Sequence, residues 1–147
     1  MGMHTMFVYG TLKRGYGNNE RCLIGAGFLS KAISVESNYI MQEIGFPIIW
    51  QEFGPRSEKA PTGQVTGELF TVTDKQLAAC DRLEGHPRMY KREQREFLCT
   101  DRPGGTVTAW VYLWQGPTDR GSEVSYGDEV PLIDGVYTWD LAHRKAG

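Results

Sequence analysis

The chain has 147 residues, 40% of them hydrophobic and 23% charged, with a formal net charge of −2. That length suits one domain with a substantial core, and the near-neutral balance provides no basic face for nucleic acid or an anionic membrane. Cys22, Cys80 and Cys99 are scattered and lack paired spacing, which fits reduced thiols in a cytoplasmic protein rather than a disulfide framework. The opening "MGMHTM" is not a signal peptide, and Met6 stands where a myristoylation motif needs Ser or Thr. No apolar run is long enough to span a bilayer. The expectation is a single domain over residues 1–147, a monomer or small homo-oligomer.

In chain order, "HTMFVY" reads as a first strand that runs into "GTLKRG". "NNERCLI" (Asn18–Ile24) predicts one or two helical turns, with Asn18 or Asn19 as the cap. "GAGFLSKAISVES" and "NYIMQEI" read as strands, and the proline in "GFPIIW" demotes that run to an edge strand or bend. Residues 51–63 form a Gly/Pro/charge-rich loop. "QVTGELFTV" alternates as a strong strand, and "YKREQREFLCT" and "TVTAWVYLWQ" follow, joined by the turn "DRPGG". The tail from Gly116 is rich in turns, ending in "DGVYTWDLAHRKAG" with room for one short helical turn. Many strands and few helices indicate an α+β fold, a small mixed β-barrel flanked by one main helix and short helical turns.

The main helix is "TDKQLAACDRLEG". Thr73 with Gln76 makes a capping box, Gly85 suits a left-handed C-terminal cap, and Pro87 follows. Leu77, Cys80 and Glu84 fall at i, i+3, i+7 and share one face, with Lys75 and Arg82 on the other. A glutamate therefore lies on the stripe that should face the core.

Other chemistries lack their residues. Gly10 and Gly15 have Walker-loop spacing, but Tyr16 and Gly17 replace the Lys-Ser/Thr that the phosphates and magnesium need. His4, His86 and His143 are far apart, and no Cys or His pair has zinc-ligand spacing. No G-x-S-x-G elbow exists, and the cysteines sit in apolar surroundings as small hydrophobes. No metal and no cofactor is expected. Glu84 at the end of its helix could bend out to water, or pair with Arg88 or Arg92. Against that, the apolar stripe and the negative end of the helix dipole both disfavour its anion. They push its pKa from about 4.3 towards ~6–7, where a carboxylate makes a good general base.

Two separated stretches, "VYGTLKRG" and "GELFTVTDKQLAACDRLEGHPRMYKR", together resemble the γ-glutamylcyclotransferase-like (AIG2-like) family. The opening string is most similar to the γ-glutamylamine cyclotransferase branch. The resemblance runs from about Met6 to Tyr112, after which only "DGVYTW" is faintly similar; the central loop and the tail carry no dependable match. It implies a small β-barrel flanked by helices and a reaction that releases 5-oxoproline and a free amine from a small γ-glutamyl substrate. It implies Glu84 as catalytic acid/base. Tyr9, Gly10, Thr11 and Leu12 would hold the γ-glutamyl head group, largely through backbone N–H groups, and Tyr90 and Tyr112 would line the pocket. The Gly-containing turn then reads as a cradle for a carboxylate rather than a phosphate. Lys13 and Arg14 would set the local potential or form a solvated turn. Two rivals stay open: removal of a γ-glutamyl protecting group from a biosynthetic intermediate, and a non-catalytic module that binds a small carboxylate or peptide.

Overall fold

The computed structural model describes residues 2–52, 62–103, 105–116 and 128–140. His143, the expected helical turn at the end of the tail and most of the 51–63 loop lie outside these residues. In chain order the elements are β1 (Met3–Val8), α1 (Gly17–Cys22), β2 (Gly27–Ser34), β3 (Tyr39–Glu43), β4 (Pro47–Gln51), β5 (Gln64–Thr73), α2 (Asp74–Glu84), β6 (Tyr90–Cys99), β7 (Thr106–Trp114), β8 (Asp128–Glu129), β9 (Leu132–Ile133) and β10 (Val136–Tyr137). Among the described residues no helix is long and apolar enough to cross a membrane.

Five strands close on themselves in the order β1-β7-β6-β2-β5, with β5 returning to β1. The β1–β7 contact is parallel and the other four are antiparallel, so the barrel is mixed. β1 reads as a continuous apolar run because both of its faces are covered. Phe7 points into the barrel and stacks on Phe97 with ring centroids 3.9 Å apart. Met6 and Val8 join the outer cluster with Leu77 and Cys80 of α2. β4, β3 and β8 form a second sheet with β4 at its edge, as Pro47 requires.

α2 starts and stops as the sequence dictates. Gln76 N–H donates to Thr73 Oγ1 (3.1 Å) and Thr73 N–H to Gln76 Oε1 (2.8 Å), while Gly85 caps the far end at φ 67°. The asparagines behave differently from expectation. The N-cap of α1 is Tyr16, without a side-chain bond, and Asn18 and Asn19 lie inside the helix. Asn18 Nδ2 donates to Thr11 Oγ1 and Asn19 Nδ2 to the Leu12 carbonyl, each at 2.7 Å. The neighbouring loop offers acceptors that would otherwise lack donors, and these tertiary bonds displace the local capping role.

The described part of the tail combines a turn with short strands: β9 and β10 form a hairpin whose turn places Asp134 and Gly135 at φ 52° and 76°. β10 runs parallel beside β5, and Trp139 beyond it is wholly buried in the inner core.

Candidate active site

The end of β1, the last turn of α2, the first residue of β6 and the far half of β7 converge on one cleft of about 200 Å³. Tyr9, Gly10, Thr11, Leu12, Glu84, Tyr90 and Tyr112 all line it, so every site residue expected from the sequence is brought together. Phe46, Pro47, Leu83, Met89 and Asn18 complete much of the lining.

The loop after β1 is held by its neighbours. Lys13 N–H donates to the Gly10 carbonyl at 3.0 Å, closing a tight turn. A β-carbon on Gly10 would stand 2.4 Å from Pro47 Cγ, so only glycine lets the loop lie against the start of β4. The Asn18 and Asn19 side chains brace Thr11 and Leu12 from behind. Among the described residues the N–H groups of Gly10, Thr11 and Leu12 donate to no protein acceptor. Consecutive amides left without partners in a tight turn form an anion-binding concavity.

Lys13 is half-buried rather than solvated, whereas Arg14 stays exposed, as a solvated turn would have it. Lys13 Nζ donates to the Trp139 carbonyl and lies 5.5 Å from the Tyr16 ring centroid and 5.9 Å from that of Trp139. Burial lowers its pKa from the usual value. Arg14 donates its N–H to Glu68 (2.7 Å) and lays its guanidinium 3.4 Å from the centroid of the Phe28 ring. The Trp139 indole N–H in turn donates to the Glu43 carboxylate, tying the tail to β3.

The three tyrosines are fixed by their hydroxyls. Tyr9 donates to the Tyr112 carbonyl, Tyr90 to the Pro47 carbonyl and Tyr112 to Asp81 Oδ1, each at 2.7 Å. Burial is the main cause that raises the pKa of each. Each hydroxyl spends its proton inside the protein, so towards the cleft these oxygens can only accept.

Glu84 makes no hydrogen bond or ion pair among the described residues. Loss of water contact pushes its pKa up to about 7. Arg92, one of the partners considered for it, is engaged elsewhere. Its Nε and Nη2 bond the two oxygens of Asp81 at 2.9 and 3.1 Å. Asp81 as the partner of Arg92 went unread in the sequence; the available signal was an acidic residue one turn before Glu84 on the same helix. Among the described residues no Lys, Arg or His lines the cleft, and Glu84 is the only charged side chain that does. Among the described residues no three His, Cys, Asp or Glu side chains are placed to hold a metal ion.

A closed five-strand mixed barrel with two helices is the architecture this chain shares with AIG2-like proteins. The crystal structure of an AIG2-like protein from Mus musculus superposes with a TM-score of 0.67 at 27% identity, covering 96% of this chain and 99% of that one. Residues 6–130 match the family described as gamma-glutamyl cyclotransferase, AIG2-like, and the chain belongs to it. Among its relatives is the gamma-glutamylaminecyclotransferase of Mus musculus, 32% identical over 119 residues that span 75% of this chain and 77% of the relative. Another is the gamma-L-glutamyl-butirosin B gamma-glutamyl cyclotransferase of Niallia circulans, 28% identical over 115 residues, 76% of this chain and 67% of the relative.

Proposed function

We propose that the protein is a cofactor-independent cyclotransferase that converts a γ-glutamyl amine into 5-oxoproline and the free amine. The observation that carries this reading is the unpartnered Glu84 carboxyl in a cleft shared with the unspent amides of residues 10–12. The same reading takes residues 1–147 as one domain acting in the cytoplasm on a small molecule, without nucleic acid or membrane.

The substrate α-carboxylate sits on the amides of Gly10, Thr11 and Leu12. Its α-ammonium faces Glu84, which takes a proton and frees the nitrogen lone pair. That nitrogen attacks the γ-carbonyl carbon, forming the ring C–N bond and a tetrahedral oxyanion. Glu84 returns its proton to the departing nitrogen as the original C–N bond breaks. The second proton of the ring nitrogen then passes through Glu84 to the released amine, which leaves as its ammonium. The ring becomes the neutral lactam, and Glu84 is again a carboxylate. Because both reacting groups belong to one molecule, holding it folded supplies much of the acceleration, ~7–11 kcal/mol for well-oriented intramolecular reactions.

The lining supports an amine as leaving group. A γ-glutamyl α-amino acid would bring a second carboxylate within two bonds of the scissile nitrogen, and among the described residues no cation faces the cleft to receive it. Phe46, Leu83 and Met89 instead offer apolar surface to methylene groups. The name of the mouse relative is in keeping with this reading.

The test is a panel of γ-glutamyl alkylamines, γ-glutamyl-ε-lysine and γ-glutamyl α-amino acids, assayed for 5-oxoproline. The amines should turn over at least ~10-fold faster than the α-amino acid compounds, a discrimination of the size expected for an uncompensated polar group. Glu84→Gln should lose ~10²–10⁴-fold in kcat with the fold intact, the usual worth of an acid–base group. Tight binding of 5-oxoproline with no turnover of any compound would make the protein a binding module instead.

A further inference from the structure

The loop that carries the unbonded amides is fixed at both ends. Tyr9 gives its hydroxyl proton to the Tyr112 carbonyl on β7, and Arg14 gives its N–H to Glu68 on β5. Asn18 and Asn19 shape residues 11 and 12, but they lie seven positions further along the same segment and join it to α1 rather than to the barrel. The stretch between the two ends is held by a closed circuit of contacts. The Lys13 N–H closes onto the Gly10 carbonyl at 3.0 Å, and the Lys13 ammonium reaches the Trp139 carbonyl. The Trp139 indole N–H donates to the Glu43 carboxylate, and Glu43 is the strand partner of Pro47 in the β3–β4 hairpin. Pro47 returns to the start, packed so close to Gly10 that a β-carbon there would stand 2.4 Å from its Cγ.

We propose that Lys13, Trp139 and Glu43 are positioning residues that keep the amides of Gly10, Thr11 and Leu12 in register for the substrate α-carboxylate. The inference rests on reading those amides as the carboxylate site. The far members of the circuit give the loop a firm support, since Trp139 is wholly buried, Glu43 is 4% exposed and Pro47 is buried. Lys13 does not line the cleft, and neither does any described residue of the tail, so their effect on a ligand passes through the loop. The tail beyond β10 thereby becomes part of the substrate-binding apparatus without touching the substrate.

Two consequences separate this role from its rivals. The substrate α-carboxylate is an anion in the bound state and in the transition state alike, so the amides bind both equally. A loosened cradle therefore raises KM and leaves kcat in place. The second consequence divides position from charge. Lys13→Met removes a cation as well as a link, whereas Trp139→Phe keeps the cation and breaks the link to Glu43.

The experiment combines kinetics with backbone relaxation in the full chain. With a γ-glutamyl alkylamine as substrate, Lys13→Met and Trp139→Phe should each raise KM about 10-fold, the scale of one weakened hydrogen bond to a charged group, with kcat within about three-fold. The double variant should also stay near 10-fold, because a circuit already open cannot be opened again; independent roles would multiply to about 100-fold. In ¹⁵N relaxation, the order parameters of residues 10–12 should fall in Lys13→Met from about 0.85 towards about 0.6. A raised KM in Lys13→Met with those order parameters unmoved, or with Trp139→Phe behaving as wild type, would mean that Lys13 acts through its charge and overturns the proposal. Multiplying effects in the double variant, or a fall in kcat at constant KM, overturn it too. If Trp139→Phe fails to fold, the order parameters of Lys13→Met decide alone. A loosened loop in a protein that turns over no γ-glutamyl compound would sink the cyclotransferase reading and spare the circuit. Turnover with the loop equally rigid in wild type and Lys13→Met would do the reverse.

Discussion

The loop after β1 and the last turn of α2 meet at one cleft but spend their polar groups in opposite ways. In the loop the side chains are committed to structure: the Tyr9 hydroxyl is on Tyr112, Thr11 receives Asn18, and Lys13 holds Trp139. The backbone amides of residues 10–12 are what it leaves unspent. In α2 the backbone end is closed by Gly85, whose N–H returns to the last turn, and the unspent group is a side chain, Glu84. A wall that works through its backbone should tolerate side-chain trimming but not displacement. One that works through a side chain should lose function on a single-atom change and gain stability from it.

The largest effect should come from moving the loop. Gly10→Val puts a branched side chain where even a β-carbon would stand 2.4 Å from Pro47. Turnover should fall about 100-fold or more, and stability by ~1–3 kcal/mol from overpacking, read from urea denaturation. Glu84→Gln tests the other wall through stability. The folded pKa, about 7, lies above the ordinary 4.5. Below pH ~4.5 the group is protonated folded or unfolded and costs nothing. As pH rises from there the unfolded chain ionises first, and stability is lost until about 7. The Gln variant escapes this loss, so it should gain ~1–3 kcal/mol on wild type between pH 5 and pH 8 in denaturant titrations at the two pH values. Thr11→Val should do least. It removes the Asn18 acceptor for ~1 kcal/mol of stability or less, while turnover stays within about three-fold because the amide is untouched. Abolished turnover in that variant would mean the hydroxyl itself acts, and the contrast between the walls would fail.

The sequence was most legible where structure is local. Thr73, Gln76 and Gly85 define α2 within one stretch of chain, and that helix carries Glu84 to the stripe the spacing predicts. The strands were readable for the same reason. A small mixed barrel was legible as a class, but the strand order that closes it was not, because the pairing of β1 with both β5 and β7 joins segments far apart in sequence. Asn18 and Asn19 looked like caps because their better acceptors, Thr11 and the Leu12 carbonyl, become neighbours only through the fold. Lys13 looked solvated because Trp139 is distant along the chain, and Asp81 drew no reading because Arg92 and Tyr112 meet it from two strands only in the fold. The Asp134-Gly135 turn was a missed local signal, since Asp-Gly between short apolar runs marks a hairpin.

The bond from Lys13 to Trp139 joins positions 126 residues apart. The loop over residues 10–13 is made 126 residues before the carbonyl that latches it. A nascent chain lacking residue 139 has the cradle's sequence without the carbonyl that fastens it. Fastening of the loop thereby waits for Trp139, in the slow manner of folds built from distant contacts.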